Sequence, residues 1–158
     1  MNTVYLTILD DWLKSTPEQV TFFQTAYFIG ALIGSSYGVV TKRSLQGTLF
    51  WSCLGLAGIM LGVIFVKSYI VFFGFAALQR ALTLVGAICT RSLCQKDSEA
   101  KLLGRVMAFR SAVIDIVGIL GYATSIFLFK YVSVPYLLAV AAGCFVVSAA
   151  ISRQPSSS

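Results

Sequence analysis

Arg80 and Asp115 stand deep inside long apolar runs of this chain, and both can do chemistry there. An ion near the middle of a bilayer costs at least about 2.5 kcal/mol on insertion scales, so each should face a partner, a cavity or water rather than lipid. Counted from the more basic ends of their runs, Arg80 is nine residues in and Asp115 seven. A rise of 1.5 Å per residue then gives depths of roughly 14 and 11 Å. The two runs are consecutive and antiparallel, which makes an Arg80–Asp115 ion pair geometrically possible. Such a pair is either a structural bridge or groove wall, or a working site. In the second case Arg80 meets an anionic group of a substrate and Asp115 exchanges a proton. Gln79 and Thr83 flank Arg80, and Gln24 lies in an earlier polar run with Thr21, Thr25, Ser35 and Ser36. Ser111, Asp115, Gly118, Tyr122 and Ser125 step by four, three, four and three, which sets them on one helical face.

Other chemistries are poorly served. The chain has no histidine, and Cys53, Cys89, Cys94 and Cys144 stand singly with no CxxC spacing, so neither a metal centre nor a histidine-held haem is expected. The cysteines read as small apolar packing residues. No nucleophile sits beside a plausible base, and no cofactor is called for, which argues against an enzyme.

The elements that must position these residues are long and apolar. Of 158 residues 58% are hydrophobic and 11% charged, with a mean hydropathy of +0.85, more apolar surface than a soluble chain of this size can hide. Five runs fill nearly everything from 20 to 153, namely 20–41, 46–66, 69–89, 108–129 and 132–152. A hydrocarbon core about 30 Å thick takes about 20 helical residues, and only helices or closed barrels satisfy their own backbone there. Alternating strands of the barrel kind are absent, so the expectation is an all-α integral membrane protein with five transmembrane helices. Residues 1–19 read as an external segment, the apolar Val4–Leu9 being the end of a truncated helix. Ser15-Thr16-Pro17-Glu18 has the form of a helix start. Thr90 to Met107 reads as a sizeable loop, and 154–158 as a disordered tail. The short links after the first and second runs predict that consecutive spans form antiparallel hairpins.

The net charge of +6 is arranged by these runs. Lys42, Arg43, Arg91, Lys96, Lys101, Arg105, Arg110 and Arg153 share one side if every run crosses once, against Lys14, Lys67 and Lys130 on the other. Eight against three places the N-terminus outside and the C-terminus in the cytoplasm by the positive-inside rule. The cluster from Arg91 to Arg110 also suits anionic lipid headgroups. A basic face interleaved with aromatics is missing, so nucleic acid is not an expected partner.

Glycines predict where helices touch. Gly30, Gly34 and Gly38 recur every four residues in the first run, and Gly58 and Gly62 repeat the spacing in the second. In lipid such spacing lets backbones approach, and the contact is either a static one or a sliding interface. Polar residues concentrate in runs one, three and four, which therefore look cavity-facing. Runs two and five are nearly plain and look lipid-facing.

Gly38-Val39-Val40-Thr41-Lys42-Arg43 is similar to the loop signature between helices eight and nine of major facilitator superfamily transporters. Leu103-Gly104-Arg105-Val106-Met107 resembles the Arg-Gly-Arg-Val element of the drug and siderophore exporters of that superfamily, and Phe23-Gln24-Thr25-Ala26 resembles their eighth helix. Thr41 stands where the signature has an aspartate, and Leu103 where the second element has its first arginine. The resemblance covers the chain as helices eight to twelve, five helices of a partial six-helix bundle, with the peripheral ninth and twelfth falling on the two plain runs. It implies proton-coupled secondary efflux of a small organic molecule across a bacterial inner membrane. In that setting Arg80, Gln79, Gln24, Thr83 and Tyr122 would line a substrate cavity, and Asp115 would pair or be protonated. Gly38, Lys42, Arg43, Gly104 and Arg105 would form cytoplasmic gate loops. Because alternating access needs two bundles, the implied partners are membrane lipid, the substrate, and the missing N-terminal bundle or another membrane chain. A structural or assembly subunit of a membrane complex is the alternative.

Overall fold

A computed structural model describes residues 16–40, 44–66, 68–97 and 102–152, and among these there are five α-helices and no strand. They are α1 (Pro17–Val40), α2 (Leu45–Ile64), α3 (Tyr69–Asp97), α4 (Leu103–Tyr131) and α5 (Val134–Ser152). Local chemistry fixes several ends. Pro17 opens α1, where its missing N–H costs nothing, and the Thr16 amide donates to Gln19 Oε1 at 3.0 Å, the returning arm of a capping box. At the start of α2, Ser44 Oγ accepts from the Gly47 amide at 3.3 Å. The α2 end tightens into a last turn in which the Phe65 amide donates to the Gly62 carbonyl at 3.1 Å.

Three helices hold stretches long and apolar enough to cross a membrane: Leu45–Ile64, Tyr69–Lys96 and Pro135–Ser152. The others, α1 with 24 residues and α4 with 29, have the length. Large apolar side chains face outward on all five, among them Phe28, Trp51, Ile70, Phe109 and Tyr136.

Packing centres on α3. Helices α1 and α2 both lie against it, α5 lies against α2, and α4 makes only slight contact with α3. The core is one apolar cluster that joins Phe23 of α1, Phe72 and Ala76 of α3, Ala57, Ile59, Met60 and Val63 of α2, and Leu138 and Ala142 of α5. Phe23 and Phe72 stack with centroids 5.9 Å apart. At one seam backbones nearly touch. A Cβ on Gly34 would sit 2.7 Å from Ala81 Cα and one on Gly30 2.8 Å from Ala77 Cα, so both glycines pack on an alanine pair with the same spacing of four. Gly62 takes the Phe75 ring, while Gly58 faces open space and Gly55 meets Leu82 instead. The second glycine pair is therefore split between an interface and the exterior.

Two expectations change. The stretch Thr90 to Met107 is mostly helix: α3 continues to Asp97 and α4 begins at Leu103. Hydropathy marks where an apolar run stops, but Thr90 to Lys96 holds no proline or glycine to stop a helix, so α3 continues through its basic end. The hairpin expectation holds for α2 and α3 alone, since α1 leans on α3 and α5 on α2. Of the segment 1–19, residues 17–19 already belong to the first turn of α1. Residues 1–15 and the tail 154–158 lie outside the described residues, as do Lys42 and Arg43.

Candidate functional site

The glycine seam brings Arg80 to its partner. With Gly30 on Ala77 and Gly34 on Ala81, the Tyr27 ring, one turn before Gly30, comes over Arg80, one residue before Ala81. The guanidinium carbon lies 5.0 Å from the ring centroid. A desolvated cation over an aromatic face gains about 2 kcal/mol. Against this, Arg80 Nε is buried without a hydrogen-bond partner, which costs on the order of 1 to 3 kcal/mol. The two terms are of similar size, so the contact holds the guanidinium in place without making it a strong net stabiliser.

Asp115 is elsewhere. It is exposed on α4, and among the described residues no ion pair joins it to Arg80. The depth estimate allowed the pair, but α4 makes only slight contact with α3, and Arg80 turns to Tyr27 of α1. The other residues expected at a cavity are also dispersed. Gln79 is buried at 1% exposure in α3, its backbone carbonyl accepting the Thr83 hydroxyl at 2.8 Å, and Gln24 is exposed on α1. The Tyr122 side chain is outside the described residues. Gly104, Arg105 and Gly38, expected in loops, are helical: the first two are exposed in the first turn of α4, and Gly38 lies in the last turn of α1, which ends at Val40.

A cavity of about 510 Å³ lies instead between the C-terminal half of α1, the start of α2 and the middle of α3. Its apolar wall includes Ile33, Leu82 and Val85, its aromatic rim is Tyr37 and Trp51, and its polar side is Ser44, Thr48 and Ser52. Among the described residues none of the lining side chains is charged. Thr48 donates its hydroxyl proton to the Ser44 carbonyl at 3.2 Å and Ser52 to the Leu49 carbonyl at 2.8 Å, so both oxygens keep lone pairs for a donor entering the cavity. The cavity lies where α1 and α2 both pack on α3, and Gly34 and Gly47 are among its lining residues. Its sequence signal was there to be read: Ser44, Thr48 and Ser52 recur every four residues along one face of an otherwise plain run.

The cysteines are unpaired, Cys89 buried and Cys144 exposed. Among the described residues no group of three or more cysteine or carboxylate side chains is placed to hold a metal ion. Comparison with protein-family models, with curated proteins and with solved structures gives no match.

Proposed function

We propose that the chain is part of a membrane transporter of the major facilitator type. It crosses the cell membrane five times, N-terminus outside and C-terminus in the cytoplasm, and exports a small organic molecule in exchange for protons. It works with a further bundle supplied by an N-terminal half or another membrane chain. The observation that carries this reading is the α1–α2–α3 cavity. Its size falls in the 300 to 1,000 Å³ range of small-molecule pockets, and its described lining, apolar and aromatic with the Thr48 and Ser52 hydroxyls, suits a largely aromatic molecule that carries a hydrogen-bond donor. The plain second run, expected at the periphery, does not lie there: α2 supplies Ala57, Ile59, Met60 and Val63 to the core and Thr48 and Ser52 to the cavity. A second reading, a structural or assembly subunit, is favoured by α4, none of whose described side chains is buried.

Two measurements test the proposal. With Trp12→Phe as background, the fluorescence of Trp51 should be quenched by an aromatic dye, and Thr48→Phe, which fills the cavity, should abolish the quenching. In inverted membrane vesicles carrying the full chain with its partner, an imposed pH gradient should drive dye uptake. Arg80→Lys and Asp115→Asn should each lower that uptake about tenfold, a loss of about 1.4 kcal/mol. If both variants carried dye at the parent rate, the transport reading would be wrong and the subunit reading would stand.

A further inference from the structure

The start of α2 borders a second hollow besides the cavity described above. It holds about 590 Å³, lies between the start of α2 and the end of α5, and is lined by Gln46, Phe50, Leu54 and Ser152. Ser44, Gly47 and Trp51 line both hollows. A rotation of about 100° per residue explains the division. Thr48 and Ser52 turn to the first hollow alone, Gln46, Phe50 and Leu54 to the second alone, and Gly47 and Trp51, one turn apart, stand on the border between the two faces. The border is uneven. Gly47 leaves it without a side chain, and a Cβ there would sit 2.7 Å from Ser44 Oγ, the oxygen that caps the helix. At Trp51 the indole fills it, edge-on to the Phe50 ring at 5.7 Å and 76°, with 65% of the residue exposed.

We infer that the second hollow is the vestibule through which the α1–α2–α3 cavity fills, that the bare Gly47 backbone is its threshold, and that the Trp51 ring sets the width of the molecule that passes. The inference rests on the reading of the cavity as a small-molecule site, and it adds the route and the size limit. The lining suits an approach from the membrane surface. Ser44, Gln46 and Ser152 offer hydroxyls and an amide to a molecule still partly hydrated, while Phe50, Trp51 and Leu54 receive its apolar side. Past Gly47 the Thr48 and Ser52 hydroxyls take over, so a hydrogen-bond donor is handed from one set of oxygens to the next. Both helix ends at the vestibule, Ser44 and Ser152, face the side that the proposed orientation makes cytoplasmic, from which an exporter loads. A tryptophan near a helix end also suits the interfacial belt of a membrane protein. Such an anchor fixes the level of its helix but does not select which molecules reach a cavity.

The test uses the full chain in liposomes and follows, by stopped-flow emission anisotropy, two probes with one hydroxyl donor each, the narrow 7-hydroxycoumarin and the wide 1-hydroxypyrene. Thr48→Phe is the blank. Gln46→Phe fills the vestibule and leaves the cavity lining as it is, so the coumarin should enter and leave about fivefold more slowly with its Kd unchanged, the mark of a route as opposed to a binding contact. The parent should exclude 1-hydroxypyrene. Trp51→Ala should admit it with an affinity within about tenfold of the coumarin's, and Trp51→Phe should do so only in part. Parent rates in Gln46→Phe, a changed Kd with unchanged entry, binding of 1-hydroxypyrene by the parent, or its exclusion by a Trp51→Ala protein that still binds the coumarin would each overturn the inference. The blank separates the two readings. Coumarin bound above the blank with parent rates in Gln46→Phe rejects the vestibule alone, and no coumarin bound above the blank rejects the cavity as a binding site and the vestibule with it.

Discussion

Arg80 shows what single residues can and cannot announce. Its depth was readable from its place in an apolar run, and so was the need for company there. Which neighbour it would turn to was not readable, because that depends on the rotation of α3 about its axis, and the Gly30/Gly34 seam sets this rotation. The partner is an aromatic face on α1, not the carboxylate on α4. Tyr27→Phe keeps the ring and should leave stability unchanged. Tyr27→Leu should cost about 1 to 2 kcal/mol, the size of a desolvated cation–π contact, measured by unfolding in detergent micelles. Equal stability of the two variants would mean that the ring contributes only its bulk. Ser52 and Thr48 carry a fainter signal, for the opposite reason. Hydroxyls in an apolar run usually bond back to their own helix, and these do, so their role depends on the space beside them.

At the level of elements, the existence of five helices and their approximate centres followed from apolar period and length, while ends and pairings did not. Lipid-facing and protein-facing residues are both apolar, so hydropathy carries little information about which side of a helix meets its neighbour. Glycine spacing carries more, and it worked once and failed once. Gly34→Leu should separate α1 from α3, because its Cβ would sit 2.7 Å from Ala81 Cα, backbone that cannot rotate away. The expected loss is about 1 to 3 kcal/mol or more, as for overpacked cores. Gly58→Leu, which points into open space, should leave stability within about 0.5 kcal/mol. Comparable losses in the two variants would show that the α1–α3 seam is not the tight contact described. The cap at Ser44 gives a smaller effect, since Ser44→Ala should cost about 1 kcal/mol and fray the start of α2 first, visible as faster amide exchange at Gly47.

For the whole molecule, the proposed orientation can be measured directly. In intact cells an impermeant maleimide should label a cysteine placed at Ser68 or Ser133 in a cysteine-free background. A cysteine kept at Cys94 should react only after the membrane is opened. Labelling of Cys94 from outside would reverse the orientation, and labelling of all three would break the five-span count.

The α1–α3 seam also bears on how the protein is made. Chain order places α2 between the two helices that fit most closely, so α1 leaves the ribosome well before its surface of fit exists. From Val40 to Ala81 is about 40 residues, which at 5 to 20 residues per second is roughly 2 to 8 seconds of synthesis. During that interval Gly30 and Gly34 lack the alanines on which they pack. The emergence of Ala77 and Ala81 is the moment at which the first helix is captured, and a ribosome stalled before it should leave α1 free to be extracted.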